Sequence, residues 1–420
     1  MSDVEKLSDD NDTECLEPIK QRYLLCVGII CYQDQEGRRY LDQLWYKDLK
    51  EHLRYIKHLT LASPCQRGTI PTGLIPLDSD PLFDTVEFVD LPLAKGFATA
   101  VLQLPLTMAL LWQAIQRADV VHSGVAGWPI PPGWLMTPMV KMLKKKYVIV
   151  VESAFWRLQP GAAVTFTSKL RADFSERMNR WCMDNTDLAV FTHDEYKESL
   201  LSHPERGHII YCSWIDKDNI LSHAEAQRVW RNKVSPEAKQ LKILCAGRLT
   251  ASKGILVLLE AMKLLDEAGI SVKLDILGQG ELREECDRAS QISYKAIAIE
   301  TLGTVPYGPP LFELMQSYHA LIIPTISDEG HRVVYDAYSQ SLPIIASNTV
   351  GLREIVQDGR TGVLIQPGDP AALADKLKWA AHNLNELESL GMYSLNIART
   401  LTHQSMHQQR RQLILDTLHL

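Results

Sequence analysis

The chain has 420 residues, 46% hydrophobic and 23% charged, with a formal net charge of -7. That is enough chain to bury two cores, and the acidic balance speaks against holding nucleic acid by general electrostatics. Eight cysteines stand singly, at Cys15, Cys26, Cys31, Cys65, Cys182, Cys212, Cys245 and Cys286, with no Cys-x-x-Cys pair. This argues against a disulfide framework and for reduced thiols in a cytoplasm.

Residues 1–21 begin with the acidic run "MSDVEKLSDDNDTECLEP", which lacks the basic start and apolar core of a signal peptide and is expected to be a disordered tail. No run reaches eighteen uninterrupted apolar residues, so no membrane-spanning helix is expected. Residues 22–32 (RYLLCVGIICY) read as a strand, followed by a helical pattern in which Leu41, Leu44, Trp45, Leu49, Leu53 and Ile56 recur on one face. Apolar runs at 57–62, 86–91, 118–122, 147–152 and 187–192 alternate with helix-length text, which predicts a first doubly wound domain over 22–222. Within it, residues 128–146 join Trp128, Trp134, Leu135, Met136 and Met139 to Lys141, Lys144, Lys145 and Lys146. Two readings fit: a peripheral contact with an anionic membrane, or a core helix with a solvated lysine end.

From about 213 to 240 the text turns polar, which places a linker at 223–240. The alternation then restarts. A strand at Lys242–Gly247 is followed by a helix from Ile255 to Ala268 stopped by Gly269, and by strands at Val272–Leu277, Ile297–Leu302, Ala320–Pro324, Pro343–Ala346 and Gly362–Ile365. This predicts a second domain over 241–395, with 396–420 as a C-terminal helical segment. The expected architecture is therefore α/β, two doubly wound Rossmann-like domains facing across a cleft, with ligands beyond the carboxyl ends of the strands.

The strand ends carry the candidate chemistry. "GRLTASKG" sets Arg248 and Lys253 on the loop before a helix N-terminus, a place suited to a diphosphate. "LGQGELREE" offers Gly278 and Gly280, either for close approach to a ligand or for a tight turn. "ISDEGHRVVYDAYSQS" places Asp328 and Glu329 before Gly330, a glycine expected to turn the backbone at a helix start, and Asp336 about two turns on. An acid between Tyr335 and Ala337 suits a pair of vicinal ribose hydroxyls. In the first half, His122 in "ADVVHSG", Glu152 and Ser153 in "VVESAFWR", and His193 in "VFTHDEY" each follow an apolar run. No His/Cys cluster with metal-ligand spacing stands out, so no metal is expected.

The segments "GRLTASKG", "LDILGQGEL", "ETLGTV", "ALIIPTISDEGHRVVYDAYSQSLPIIAS" and "VGLREIVQDGRTGVLIQPGDPAALA", over roughly 242–380, together resemble the C-terminal domain of glycosyltransferase family 4, retaining enzymes of the GT-B fold. The resemblance implies that Arg248 and Lys253 neutralise a diphosphate leaving group and that Asp336 holds the ribose. It also implies a nucleotide site drawing on Gly330, His331, Arg332, Gly278, Gly280 and Val305, and a last helix that returns to the first domain. Two departures stand out. The acid beside the transferred sugar is either Asp328, which keeps the family spacing, or Glu329, which keeps the Glu-Gly step. The family's second strand-end histidine is replaced by Gly124, which leaves His122 as a substitute or as a packed strand-end histidine.

The expected reaction is metal-independent transfer of a sugar, without a resident cofactor, from a UDP-, GDP- or other nucleoside-diphosphate sugar to a sugar or lipid-linked acceptor, in polysaccharide, lipopolysaccharide or glycolipid synthesis. The expected setting is cytoplasmic, with peripheral membrane contact as a variant. A non-catalytic relative, a phosphorylase and an epimerase of the same fold are the alternatives.

Overall fold

The computed structural model describes residues 17–127, 129–158, 164–234, 240–327 and 330–420. Asp328, Glu329, Trp128, Cys15 and most of the acidic tail thus lie outside the described residues.

The first domain strings β1 (Ile19–Cys26), β2 (Cys31–Gln33), β3 (Arg39–Leu41), α1 (Gln43–Tyr55), β4 (Ile56–Arg67), β5 (Ile75–Pro76), β6 (Glu87–Leu91), α2 (Phe97–Arg117), β7 (Val120–Gly124), α3 (Pro132–Leu143), β8 (Lys146–Val151), α4 (Phe166–Asp184), β9 (Leu188–Phe191), α5 (Asp194–Leu200) and β10 (Gly207–Ile209). Its sheet runs β10-β9-β8-β7-β1-β4-β2-β3-β5, with β6 also on β4. The central pairs β7–β8, β1–β7 and β1–β4 are parallel. Such strands are covered on both faces, which is why they read as unbroken apolar runs such as "YLLC" in β1 and "LAVF" in β9. Cores lie on either side of the sheet. The expected tail ends earlier than 21, because β1 starts at Ile19 and that side chain is buried in the core.

The expected linker is a correction. Residues His223–Lys233 form a helix, α6, opened by a capping box in which Ser222 and Glu225 satisfy each other's end of the turn. Trp230 of α6 is fully buried in the second domain's core, and its Nε1 donates to the Ser341 carbonyl at 3.0 Å.

The second domain then follows as β11 (Leu241–Ala246), α7 (Ile255–Glu267), β12 (Val272–Leu277), α8 (Arg283–Ser290), β13 (Ile297–Gly303), α9 (Pro309–Met315), β14 (Ala320–Ile323), α10 (Val333–Ser339), β15 (Ile344–Ser347), α11 (Val350–Arg353), β16 (Gly362–Ile365), α12 (Pro370–His382) and α13 (Leu384–Ala398). Its sheet is β13-β12-β11-β14-β15-β16, all parallel. The chain leaves it through α14 (His403–Leu418), whose Met406, Ile414 and Leu418 lie in the core of the first domain. Two helices, α1 and α14, therefore tie the end of the chain to its beginning.

Strand order reverses between β1 and β7 in one sheet and between β11 and β14 in the other. These are the points where loops leave in opposite directions and open a crevice at the carboxyl ends.

Among the described residues one helix, α2, is long and apolar enough to cross a membrane by length and composition, contrary to the expectation of none. Its Pro105, Gln103 and Thr107 break the apolar run that a simple scan counts. Here Ala100, Leu111, Ala114 and Ile115 pack into the core, while Phe97, Val101, Leu102 and Leu106 face outward.

Candidate active site

After β11 the backbone folds back on its neighbours to present two cations. Leu249 N–H donates to Gln279 O at 2.9 Å and Gly247 N–H to Leu277 O at 3.0 Å, so the Arg248 loop is clipped to the loop after β12. Gly278, at φ +145, has no room for a side chain: a Cβ would stand 1.8 Å from the Gly247 carbonyl. The closeness that Gly278 and Gly280 permit is thus to the loop carrying Arg248. On the other side Gly254, at φ +72, lies so near β14 that a Cβ would meet the Pro324 carbonyl at 1.8 Å. It is also the N-cap of α7, so Lys253 sits directly before that helix's open N–H groups.

His331 completes this corner. Gly247, Arg248, Lys253, Pro324 and His331 line a small cavity of about 40 Å³ at the β11/β14 switch. Burial first, then Lys253 and Arg248, push the His331 pKa well below its ordinary value, so the ring is neutral between two cations. Its Nε2 is buried with no hydrogen-bond partner among the described residues.

At the opening of α10 the described residues resume at Gly330. Gly330 is exposed and has open space around it. The helix starts at Val333, preceded by Arg332 at the N-cap. Asp336 lies in the first turn of α10. It is buried, at 6% exposure, and accepts a hydrogen bond from Tyr307 Oη at 3.0 Å. Burial raises its pKa to about 7, against the lowering effect of that bond, Arg332 and Lys47. The Arg332 guanidinium lies 5.2 Å over the Trp214 ring. Val305 is part-buried beside Tyr307 against the same core.

On the facing wall, His122 is buried within β7 and shares a 2.9 Å hydrogen bond through Nδ1 with Tyr23 Oη. Burial holds it neutral. It lines a cavity of about 340 Å³ with Gly28, Asp48, His52, Glu152, Ser153, Phe155 and Arg410. His193 is instead buried at the start of α5, its ring 3.7 Å from that of Tyr196. The walls meet where the Arg248 guanidinium stands 6.0 Å from the Phe155 ring. A larger cavity of about 680 Å³, lined by Phe97, Trp134, Phe155, Trp156, Leu170 and Phe174 among others, opens on the far side of Phe155.

The 128–146 segment takes the core reading. Met136 and Met139 are buried, Trp134 packs against the same core, and the lysines sit at the amino end of β8, away from the crevice. The outward apolar surface lies instead on α2 and α4, at Phe97, Leu102, Phe166 and Leu170. Sequence reasoning also missed Tyr307, Phe155 and the Asp48/His52/Arg410 group. Only the helical pairing of acid and histidine in "DLKEH" and of two histidines in "HQSMH" signalled the last.

Two parallel sheets apposed at their switch points define a GT-B protein. Anabaena HepE, solved in complex with UDP and glucose, shares this fold with a TM-score of 0.62 over 95% of this chain and 99% of its own, at 15% identity. Residues 240–383, within the second domain, match the family Glycosyl transferases group 1. An uncharacterized glycosyltransferase of Methanocaldococcus jannaschii is 29% identical over 39% of either chain. The D-inositol 3-phosphate glycosyltransferase of Paenarthrobacter aurescens is 26% identical over 70% of this chain and 72% of its own. Several other relatives are matched over only 33% to 40% of their length.

Proposed function

We propose that this protein is a retaining glycosyltransferase that moves a sugar from a nucleoside-diphosphate sugar to an acceptor hydroxyl. The observation that carries the reading is the convergence of Arg248, Lys253 and the α7 N-terminus at the β11/β14 switch, opposite His122 and Phe155. In such a transfer negative charge grows on the departing diphosphate. Fixed cations and N–H groups aimed at that charge lower the barrier without reorganising, and with them in place the step calls for no catalytic metal and no resident cofactor. Asp336 takes the ribose hydroxyls, with Tyr307 holding its carboxylate in place. UDP is the first nucleotide to test, since HepE binds it in the same fold.

The acceptor enters from the first domain. The cavity beyond Phe155 is apolar, which suits an acceptor with a hydrophobic portion, in glycolipid or lipid-linked polysaccharide synthesis. The reading places the enzyme in the cytoplasm, with the outward apolar faces of α2 and α4 resting on a membrane surface; the described cysteines are all free thiols, in keeping with that compartment.

The test is thermal unfolding with UDP, GDP, ADP and TDP, alongside Lys253→Ala, followed by release of free diphosphate with and without acceptor. A nucleotide at about a hundred times its Kd adds about 2.7 kcal/mol. A shift with one nucleotide, lost in the variant, and release that depends on acceptor support the transferase. Release without acceptor, or no shift with any nucleotide, would sink it and favour a phosphorylase, an epimerase or a non-catalytic relative.

A further inference from the structure

Helices α1 and α14 cross with two histidine-bearing turns face to face. Asp48 and His52 lie one turn apart on α1, and His403 and His407 one turn apart on α14; all four are at most 5% exposed. His407 Nε2 is 3.0 Å from Asp48 Oδ1, His403 Nε2 is 3.2 Å from the same oxygen, and the two Nε2 atoms are 3.2 Å from each other. Three ligand atoms thus close a nearly equilateral triangle in a buried place.

We propose that Asp48, His403 and His407 form a site for a zinc-class divalent cation that pins the C-terminal helix to the first domain. With bonds of about 2.0–2.1 Å, two ligand atoms on a tetrahedral zinc stand about 3.3 Å apart, and the triangle has edges of that length. Neighbouring groups hold both histidine rings, although His403 Nδ1 has no hydrogen-bond partner among the described residues. Tyr55 Oη meets His407 Nδ1 at 3.1 Å, which leaves Nε2 to face inward. Trp214 stacks on His403, with centroids 5.2 Å apart and rings 21° from parallel. His52 turns its Nδ1 to the Asp48 carbonyl at 2.9 Å and lies 3.3 Å from Asp48 Oδ2, holding the carboxylate. The nearby cation, Arg410, contacts His52 Nε2 at 3.3 Å rather than the triangle, and Glu152 acts on it from the cavity side. The fourth position is left to solvent from the cavity that Asp48 and His52 line.

The consequence is mechanical. α14 is reached from the second domain through α13, so a cation joining α14 to α1 fastens the strap that crosses between the domains. This is separate from the Arg248/Lys253 corner, and its failure would leave the transferase reading intact.

The experiment uses the full chain without a polyhistidine tag, stripped with a chelator and titrated with zinc by calorimetry and elemental analysis, and with cobalt by visible absorption. The expected result is one tightly held zinc per chain, the absorption of four-coordinate cobalt, and a Tm that rises on zinc addition. His407→Gln and Asp48→Asn should each weaken zinc binding by about a hundredfold or more. If a variant fails to fold, the cobalt spectrum of the unaltered protein still decides. No stoichiometric binding, a six-coordinate cobalt spectrum, or zinc retained by folded Asp48→Asn would overturn the proposal and leave a proton-sharing hydrogen-bond network.

Discussion

Tyr307 Oη donates to Asp336 Oδ1 at 3.0 Å, joining the loop before α9 to the buried face of α10. That single bond holds a carboxylate whose pKa burial has raised from 3.8 to about 7. Because the folded pKa lies above the unfolded one, the folded state holds the extra proton between those values. Stability is therefore whole below about pH 4 and is lost as pH rises toward 7. Asp336→Asn should unfold at a higher temperature than the unaltered protein at pH 8, by an amount on the order of a few kcal/mol at most, and the gap should close as pH is lowered to 5. The same variant should bind the nucleoside diphosphate about 10- to 100-fold more weakly, since two hydroxyls lose a charged acceptor. Equal nucleotide affinity in the variant would remove Asp336 from the donor site.

Gly254→Ala should be among the most damaging single-atom additions to the second domain. A methyl group there meets the Pro324 carbonyl at 1.8 Å, and the φ of +72 is unfavourable for alanine in any case. Either the α7 N-terminus moves away from β14, or the domain loses several kcal/mol. If the fold survives, nucleotide affinity should drop with it, because Lys253 is the preceding residue. A variant with normal Tm and normal nucleotide binding would show that the close approach is not needed.

Much of the fold was legible because the central strands of both sheets are parallel and buried on two faces, so they are plain apolar runs, from "YLLC" in β1 to "ALII" in β14. α6 was hidden because only Ala226, Trp230 and Lys233 of its eleven residues are buried, too narrow a stripe to show against so much charge. The corner formed by Arg248 and Lys253 could be read from one loop, since both residues lie in it. The group on α1 and α14 could not. Its halves are 355 residues apart, and each is an unremarked pair until the helices cross. Gly278 was legible as a glycine that something must approach; that the something is the Gly247 carbonyl required the fold.

The apolar cavity beyond Phe155 makes a prediction about the acceptor alone. Leu170 and Phe174 line it from α4, on the side away from Lys253. Leu170→Asp and Phe174→Asp should raise the KM for a lipid-bearing acceptor by about tenfold or more, while thermal shifts with the nucleotide stay as they were, because a charge on the cavity wall opposes burial of a chain. A short water-soluble acceptor should be used equally well by variant and unaltered protein. Loss of activity toward both acceptors, or toward neither, would mean that the cavity does not hold the acceptor.

Closure of the two domains should depend on Glu354. Its two carboxylate oxygens accept from the Asp194 amide, at 3.0 and 2.9 Å, so an acid at the end of α11 caps the first turn of α5 across the crevice. A carboxylate at a helix N-terminus stabilises by about 0.3–1 kcal/mol when solvent can reach it, and Glu354 is half-buried. Burial raises its pKa, chiefly, with Asp194 adding to the effect, while the amide bonds pull the other way. The charged, bonded form is the one that bridges the domains, so the bridge should weaken as pH falls toward the raised pKa. Small-angle scattering should give a larger radius of gyration for Glu354→Ala than for the unaltered chain at pH 8. For the unaltered chain the radius should grow on acidification and shrink with bound nucleotide. Glu354→Gln, which keeps an acceptor oxygen but no charge, should lie between the two and lose the pH response. If all three proteins scatter alike at every pH, the Lys47 contacts to Asp216 and to the Trp214 carbonyl, at 2.8 and 2.5 Å, are enough to set the angle between the domains.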